Sequence, residues 1–386
     1  MRILFVSPEY PPNIKGGVGI YLYHLSLHLN KLSKPISAEV LTFSGETEIG
    51  KGLKQLPFKV IKLRRILPYK LRIIEFYIRA NFFLCKRKNV KNYDFIHDNY
   101  NMVVLGKAPV IHTVHSTMLQ EYWCSEPLAD GSFVARAMSF IEKAYFLSLH
   151  LIEKIAFKRA HGFIVPSEEL KEHLKTYFNV QKNIFVVKHG VDTSLFRPGA
   201  DLSTQRKYNI AFVGRLAPRK GVKYLFKALE LLETRPLRIL FCNADVDAIF
   251  PYIQKLRINP RHQFHFKDSA NYLLMPSLYR DSDMVVLPSI YESFSLTAVE
   301  ALATATPIVM AGAGGPRRMF KDGSGAIFVP PRNPESLAQN ISYLLDHARE
   351  RINIGIAGRK MVLREFGWTQ SAQATYDVYA RLRRGP

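Results

Sequence analysis

Pro288-Ser289-Ile290-Tyr291-Glu292-Ser293-Phe294-Ser295-Leu296-Thr297-Ala298-Val299-Glu300-Ala301-Leu302-Ala303 follows an apolar, β-branched run, Asp283 to Leu287, and leads toward Pro307. The run reads as a buried strand and the segment from Leu296 as a helix that Pro307 stops. Between them lies a short loop, and two carboxylates separated by seven residues stand at its entrance and in the first helical turns. A helix N-terminus offers unpaired N–H groups and the positive end of the dipole, which suit phosphate. Carboxylates accept hydrogen bonds from sugar hydroxyls. A diphosphate flanked by two sugars, as in a nucleotide-sugar, needs both features together.

Similar openings recur elsewhere in the chain. Ile3 to Val6 reads as a strand, followed by Pro11-Pro12-Asn13-Ile14-Lys15-Gly16-Gly17-Val18-Gly19 and a helix from about Ile20 to Leu32. Asn209 to Val213 is again a strand, followed by Gly214-Arg215-Leu216-Ala217-Pro218-Arg219-Lys220-Gly221 and a helix from about Val222 to Glu233. Strand, glycine-bearing loop and helix is how a doubly wound α/β domain begins. Further strand-like runs, Ala38–Phe43, Phe95–His97, Val110–Val114 and Phe163–Val165, then Arg238–Phe241, Gln263–Phe266 and Ile308–Met310, alternate with helical patterns such as Phe133 to Ala160 and Glu335 to Leu345. The expected fold class is α/β: two Rossmann-like doubly wound parallel-sheet domains facing across a cleft. The expected boundaries are 1–200 for an N-terminal, acceptor-binding domain, 207–366 for a C-terminal, nucleotide-sugar-binding domain, and 367–386 for a helix packing back on the first. The hinge is expected near Arg197 to Lys207. Ligands of such sheets bind at the carboxyl ends of the strands, so the loops after Val6, Val114, Val213, Leu287 and Met310 are the ones that matter.

A length of 386 residues suits two or three domains with ample core. No apolar run reaches the roughly 18 residues of a spanning helix, and Met1 to Pro8 reads as a first strand, not a secretion signal. Three widely spaced cysteines, Cys85, Cys124 and Cys242, indicate neither a disulfide framework nor a metal knuckle, and a reducing cytosol is the expected setting. The net charge is +22, and residues 51–91 hold 13 Lys+Arg with Glu75 as the single acid. There Lys62-Leu63-Arg64-Arg65-Ile66-Leu67-Pro68-Tyr69-Lys70-Leu71-Arg72 interleaves cations with apolar side chains, and a helix carrying Ile74, Ile78 and Phe82 follows. Cations beside exposed apolar anchors suit an anionic membrane surface, which would make the protein peripheral on the inner face of the membrane. The other reading packs Ile74, Ile78 and Phe82 in the core and leaves the cations as a solvated outer face. Nucleic acid is not expected, because no recognition fold accompanies the charge.

The pair Glu292 and Glu300 resembles the Glu-seven-residues-Glu motif of retaining glycosyltransferases of family 4, which have the two-Rossmann GT-B architecture. So do Gly214-Arg215-Leu216 with Lys220-Gly221, Gly314-Gly315, Asp322-Gly323, Gly325 and Pro330. Pro11-Pro12 with Gly16-Gly17, the Gly190-Val191-Asp192 turn with Phe196 and Pro198, and the closing Phe366-Gly367-Trp368 match as well. The resemblance covers nearly the whole chain. It implies that Arg215 and Lys220 neutralise the diphosphate of a UDP- or GDP-sugar, that Glu300 holds the ribose, and that Glu292 contacts the transferred sugar. It further implies that backbone N–H groups of Phe294, Ser295 and Leu296 meet the distal phosphate, and that Gly16 and Gly17 let the first loop approach it. His115, in a Thr-x-His pattern, would face the sugar near its reacting carbon, with His112 structural and His97-Asp98 a second candidate for acceptor contact.

The activity implied is sugar transfer with retention from a nucleoside diphosphate donor to an acceptor hydroxyl, without metal or other cofactor. The basic segment points to a lipid-linked or membrane-associated glycan as acceptor. A soluble acceptor, or a catalytically weak scaffold that binds a nucleotide or a protein partner, are the alternatives. Departures from the family pattern are Ser293 and Ser295 where glycines are usual, Pro316-Arg317-Arg318 where a glutamate is usual, and His189 in place of asparagine. Asp245-Val246-Asp247 and Asp281-Ser282-Asp283 look like metal-binding Asp-x-Asp. The first reads instead as a helix N-cap and the second as the approach to a buried strand.

Overall fold

The computed structural model describes residues 1–34, 36–53, 56–67, 72–126, 133–200, 206–232, 235–243, 253–254, 257–267 and 270–384. The described strands are β1 (Arg2–Val6), β2 (Ser37–Phe43), β3 (Lys59–Leu63), β4 (Phe95–Asp98), β5 (Val110–Thr113), β6 (Gly162–Val165) and β7 (Ile184–Val186), then β8 (Tyr208–Val213), β9 (Arg238–Cys242), β10 (Gln263–Lys267), β11 (Ser282–Leu287), β12 (Ile308–Ala311) and β13 (Ala326–Val329). They form two sheets, ordered β3-β2-β1-β4-β5-β6-β7 and β10-β9-β8-β11-β12-β13, and the paired strands in both are parallel. Parallel strands covered on both faces read as unbroken apolar runs. Ile3, Leu4, Phe5 and Val6 accordingly have no solvent exposure, nor do Met284, Val285 and Val286.

In both sheets the strand order reverses direction beside the opening strand, between β1 and β4 and between β8 and β11. Those switch points are where doubly wound sheets open a crevice at their carboxyl ends. Helix α1 (Gly17–Asn30) follows β1, α2 (Arg72–Cys85) follows β3, and the helix Val222–Glu230 follows β8. Phe212, Phe241, Leu225, Leu229, Met284 and Ile341 share one buried cluster beneath the second sheet.

The chain divides into two compact units, one of Met1–Leu119, Phe146–Gly190 and Trp368–Pro386, the other of Gln120–Tyr145 and Val191–Gly367. The expected boundaries are corrected accordingly. Residues 191–200 and the excursion Gln120–Tyr145 belong with the second unit. The excursion is held there by ion pairs from Glu121 to Arg219 and from Glu126 to Lys223 and Arg332. The helix Trp368–Arg383 packs on α1, where Trp368 stacks on His24 at 5.2 Å. Residues 201–205 of the expected hinge, Pro68 to Leu71, and Asp245 to Asp247 lie outside the described residues.

Two turns in the family pattern have structural explanations. A Cβ on Gly190 would run into the backbone of Trp368, and Val191 N–H donates to the Phe366 carbonyl. Asp192 Oδ1 accepts from the N–H groups of Ser194 and Leu195, which closes the turn that follows.

Candidate functional site

The second switch point assembles a buried polar constellation. β8 ends at Val213, and the loop after it tightens into a 3-10 turn, Pro218–Lys220. Gly221 caps that turn in the left-handed region, φ +63°, with its open side against the Pro288 carbonyl oxygen. A side chain there would meet both a strained φ and that oxygen, so glycine is required. The loop after β11 is tied to this turn by the Ile290 N–H, which donates to the Arg219 carbonyl at 2.8 Å.

Glu292, 5% exposed, is the centre of the network. Its Oε1 accepts from Lys220 Nζ at 2.7 Å and from Ser289 Oγ at 2.9 Å, and its Oε2 from Arg219 Nη1 at 3.3 Å. Burial works against ionisation, but Lys220 and Arg219 outweigh it and hold the carboxyl below its ordinary value. Arg219 also donates to the Tyr291 carbonyl at 3.2 Å and pairs through Nε with Glu121 at 3.0 Å. A third loop closes the arrangement from behind, because Gly315 N–H donates to the Glu292 carbonyl at 2.9 Å.

Glu300 lies in the helix Leu296–Ala303 and is 7% exposed. Tyr279 OH donates to its Oε2 at 2.8 Å. Burial pushes its carboxyl up to about 7 against the lesser effect of the hydrogen bonds from Tyr279 and Tyr272. The two carboxylates are therefore driven in opposite directions, a division typical of sites that give them separate roles. The sign for Glu300 follows directly. Burial penalises its ionised form, so its contribution to stability is present below about 4.5 and is lost as pH rises toward about 7. A ligand hydroxyl that donates to the carboxylate favours the ionised form. Nucleotide affinity is therefore expected to be roughly tenfold weaker at pH 6 than at pH 8, with uptake or release of protons measurable by calorimetry in two buffers. Glu300→Gln is expected to flatten that dependence.

Ser295 caps the helix Leu296–Ala303 from a left-handed backbone, φ +70°, and its Oγ accepts from Ala298 N–H at 3.4 Å. That conformation explains why glycine is usual in its place; serine offsets the strain with a capping bond. Phe294 is buried, its ring edge-on to Phe366, so only its backbone can serve a ligand.

The other expected residues fall as follows. Arg215 is exposed on the loop after β8. Arg317 pairs with Asp322 at 3.8 Å and lies over the Phe328 ring, and both Arg317 and Arg318 are exposed. Asp283 pairs with Arg351 at 3.0 Å, which gives the second Asp-x-Asp a structural account. Among the described residues no group of three or more His, Cys, Asp or Glu side chains is placed to hold a metal ion.

In the first unit, His115 follows β5, its Nδ1 is 3.2 Å from His189 Nε2, and Tyr21 packs edge-on at 4.8 Å. Burial drives His115 down to about 3, so it is a neutral hydrogen-bonding group at working pH. His97 and Asp98 are corrected to structural residues. His97, unexposed, bonds Tyr379 OH and Thr113 Oγ1. Asp98 accepts from Tyr77 OH and from the N–H groups of Tyr100, Met102 and Val103, with His112 at 3.2 Å. Gly16 is the N-cap of α1, with open space where a Cβ would stand, and Gly17 is exposed at the first helical position.

Arg219, Glu121, Ser289 and Tyr279 are members of the constellation that sequence reasoning missed. Arg219 had a signal, its place beside Lys220 at a strand end. Glu121 had none, because its partner stands 98 positions away.

Two doubly wound units, one presenting paired cations and carboxylates at its switch point, define a scaffold of the nucleotide-binding transferase class. A family model described as "Glycosyltransferase Family 4" matches residues 15–195, and one described as "Glycosyl transferases group 1" matches residues 199–361. The chain belongs to the family 4, group 1 glycosyltransferases. It is 26% identical to an uncharacterized glycosyltransferase of Methanocaldococcus jannaschii, over 98% of each chain. It is 28% identical to D-inositol 3-phosphate glycosyltransferase of Corynebacterium kroppenstedtii, over 99% of this chain and 90% of that one. Among solved structures it is similar to sucrose-phosphate synthase of Thermosynechococcus elongatus, TM-score 0.80 at 21% identity over the whole of both chains. It is also similar to Anabaena HepE crystallised with UDP and glucose, TM-score 0.74 at 18% identity, over 99% of this chain and all of that one. The expected architecture of two Rossmann-like parallel-sheet domains is thus met.

Proposed function

We propose that the protein is a retaining glycosyltransferase that moves a hexose-type sugar from a nucleoside diphosphate donor to an acceptor hydroxyl on a lipid-linked or membrane-associated glycan. The observation that carries this reading is the Lys220–Glu292–Arg219 network beside Glu300 at the β8/β11 switch point. Lys220, with Arg215 on the same loop, supplies positive charge to the departing diphosphate, the backbone at the start of the helix Leu296–Ala303 supplies N–H groups, and Glu300 accepts from the ribose. Glu292, already oriented by three donors, presents a fixed carboxylate to the transferred sugar. His115 contributes a neutral ring near the reacting carbon. The leaving phosphate itself takes the acceptor proton in a front-face attack, so the chain acts by positioning and electrostatics. The UDP and UDP-glucose held by HepE support a uridine donor.

A thermal-shift screen of nucleoside diphosphates and their sugars tests this reading. Selective stabilisation by UDP and one UDP-sugar is expected, and no response to any nucleotide would overturn it. Gly16 offers a second check. Its surroundings leave room for a side chain, so Gly16→Val should cost no more than a poorer N-cap, about 1 kcal/mol. A substrate phosphate approaching α1 would be displaced, and turnover should fall roughly 100-fold.

The membrane part of the reading rests on the basic segment. Ile66 and Leu67 are exposed and their N–H groups are held by Glu75 of α2, while Ile78 and Phe82 on α2 are exposed at 52% and 67%. Arg64 and Arg65 flank them, and Arg79 donates to the Arg64 carbonyl. Phe76 and Leu84 supply the buried face of α2 instead. Ile78 and Phe82 are therefore not core contacts, and apolar anchors beside cations suit an anionic bilayer surface. Co-sedimentation with anionic vesicles is expected and should weaken in Arg64→Gln/Arg65→Gln, whereas a wild-type protein that stays in the supernatant would argue for a soluble acceptor.

A further inference from the structure

Glu153 has no solvent exposure and stands in that stretch of the helix Phe133–Arg159 which belongs to the first unit. A carboxylate buried so fully needs hydrogen-bond donors. Its Oε1 accepts from Asn101 Nδ2 at 3.0 Å and its Oε2 from the Met118 N–H at 3.0 Å. Asn101 Nδ2 also donates to the Ser116 carbonyl at 2.9 Å. One carboxylate therefore fixes the loop after β5 at two points, directly at Met118 and through Asn101 at Ser116, the residue next to His115.

The rest of that loop is braced as well. Asn101 has a left-handed backbone, φ +64°, in a turn whose N–H groups at Tyr100, Met102 and Val103 bond Asp98. Thr117 Oγ1 lies 3.0 Å from His173 Nε2 of the helix Glu168–Phe178. The Val114 N–H donates to the Ile164 carbonyl at 2.8 Å. The His115 ring then meets Tyr21 and His189, so its place follows from the backbone on either side of it. Burial raises the Glu153 carboxyl above its ordinary value, against the lesser effects of His150 at 3.7 Å, the Met118 N–H and Asn101. An apolar side chain would fill the same space without that desolvation, but it could not hold the two donors.

We propose that Glu153 is a positioning residue for sugar transfer, setting where His115 stands by fixing the backbone at Ser116 and Met118; this rests on the role given to His115 in the transferase reading above.

The test is an NMR titration of His115 in the full chain, labelled with carbon-13 at histidine and assigned with His115→Gln. In the wild type, burial outweighs the favourable charge of Asp98, and His115 should still be neutral at about pH 5, well above its value of about 3. Glu153→Gln offers one acceptor in place of two and turns an N–H toward the other donor. The loop is then released, and water at the His115 ring should move its titration up toward about 6.5. Asn101→Gly keeps the left-handed turn, removes the link to Ser116 and should give a smaller shift in the same direction; it carries the test if Glu153→Gln does not fold. Leu84→Ala, at a buried position of α2, should lower Tm without moving the titration, which separates lost stability from lost position. With the UDP-sugar selected by thermal shift, kcat should fall roughly tenfold or more in Glu153→Gln at unchanged donor KM. A His115 titration unmoved in both variants, or moved equally by Leu84→Ala, would overturn the proposal, as would a wild-type kcat once His115 has moved. Failure of UDP to raise the Tm of the wild type would instead count against the transferase reading.

Discussion

Lys220→Ala is expected to lower kcat/KM by roughly 100-fold or more, the scale on which one preorganised charge at a developing anion acts. Lys220 Nζ sits 2.7 Å from Glu292 Oε1, and its side chain is 19% exposed, so the charge is positioned and largely desolvated. A donor diphosphate finds that charge in place and needs no reorganisation to use it. The loss of stability should be smaller. Glu292 keeps Arg219 and Ser289, so one remaining buried carboxylate is not orphaned, and about 1–2 kcal/mol is the expected cost. A variant that loses stability but turns over saturating donor at the wild-type rate would remove Lys220 from the chemistry. Lys220→Arg keeps the charge and should recover part of the activity.

Gly314→Ala is expected to destabilise the protein by about 2–4 kcal/mol and to lose most of its activity with it. Gly314 has φ +78°, and a Cβ there would run into the Glu292 carbonyl oxygen, with the Tyr291 ring 2.9 Å away. The first obstacle is backbone and cannot swing aside as a side chain could. The backbone of Glu292 must move, and with it the carboxylate that Lys220, Ser289 and Arg219 hold. Chemical denaturation gives the first number and steady-state kinetics the second. Wild-type values of both would mean that the 312–315 loop yields more easily than its contacts indicate. Gly323, also at positive φ but with nothing near its Cβ position, is the control for strain alone.

The central strands were legible because burial on both faces writes them as apolar runs, as in β1, β8 and β11. The strands that escaped notice were β3, β7 and β13. Lys59–Leu63 alternates cations with apolar residues and reads as part of a basic surface, Ile184–Val186 is three residues long, and Ala326–Val329 is four. Lys220, Glu292 and Glu300 were legible as residue types at strand ends and in a helix start. Their partnership was not, because spacing along the chain does not report that Lys220 Nζ donates to Glu292 Oε1. Arg219, assigned no role from sequence, turned out to bridge Glu292 and Glu121, and only the folded excursion Gln120–Tyr145 brings Glu121 there. The exposure of Ile78 and Phe82 was equally undecidable from periodicity, since α2 is apolar around more than one face.

The central claim is tested most directly by a crystal structure of the protein with UDP. The pyrophosphate is predicted within reach of Lys220 and the N–H groups at Ser295 and Leu296, and the ribose hydroxyls on Glu300. Ordered UDP elsewhere, with Lys220 and Glu300 untouched, would contradict the account.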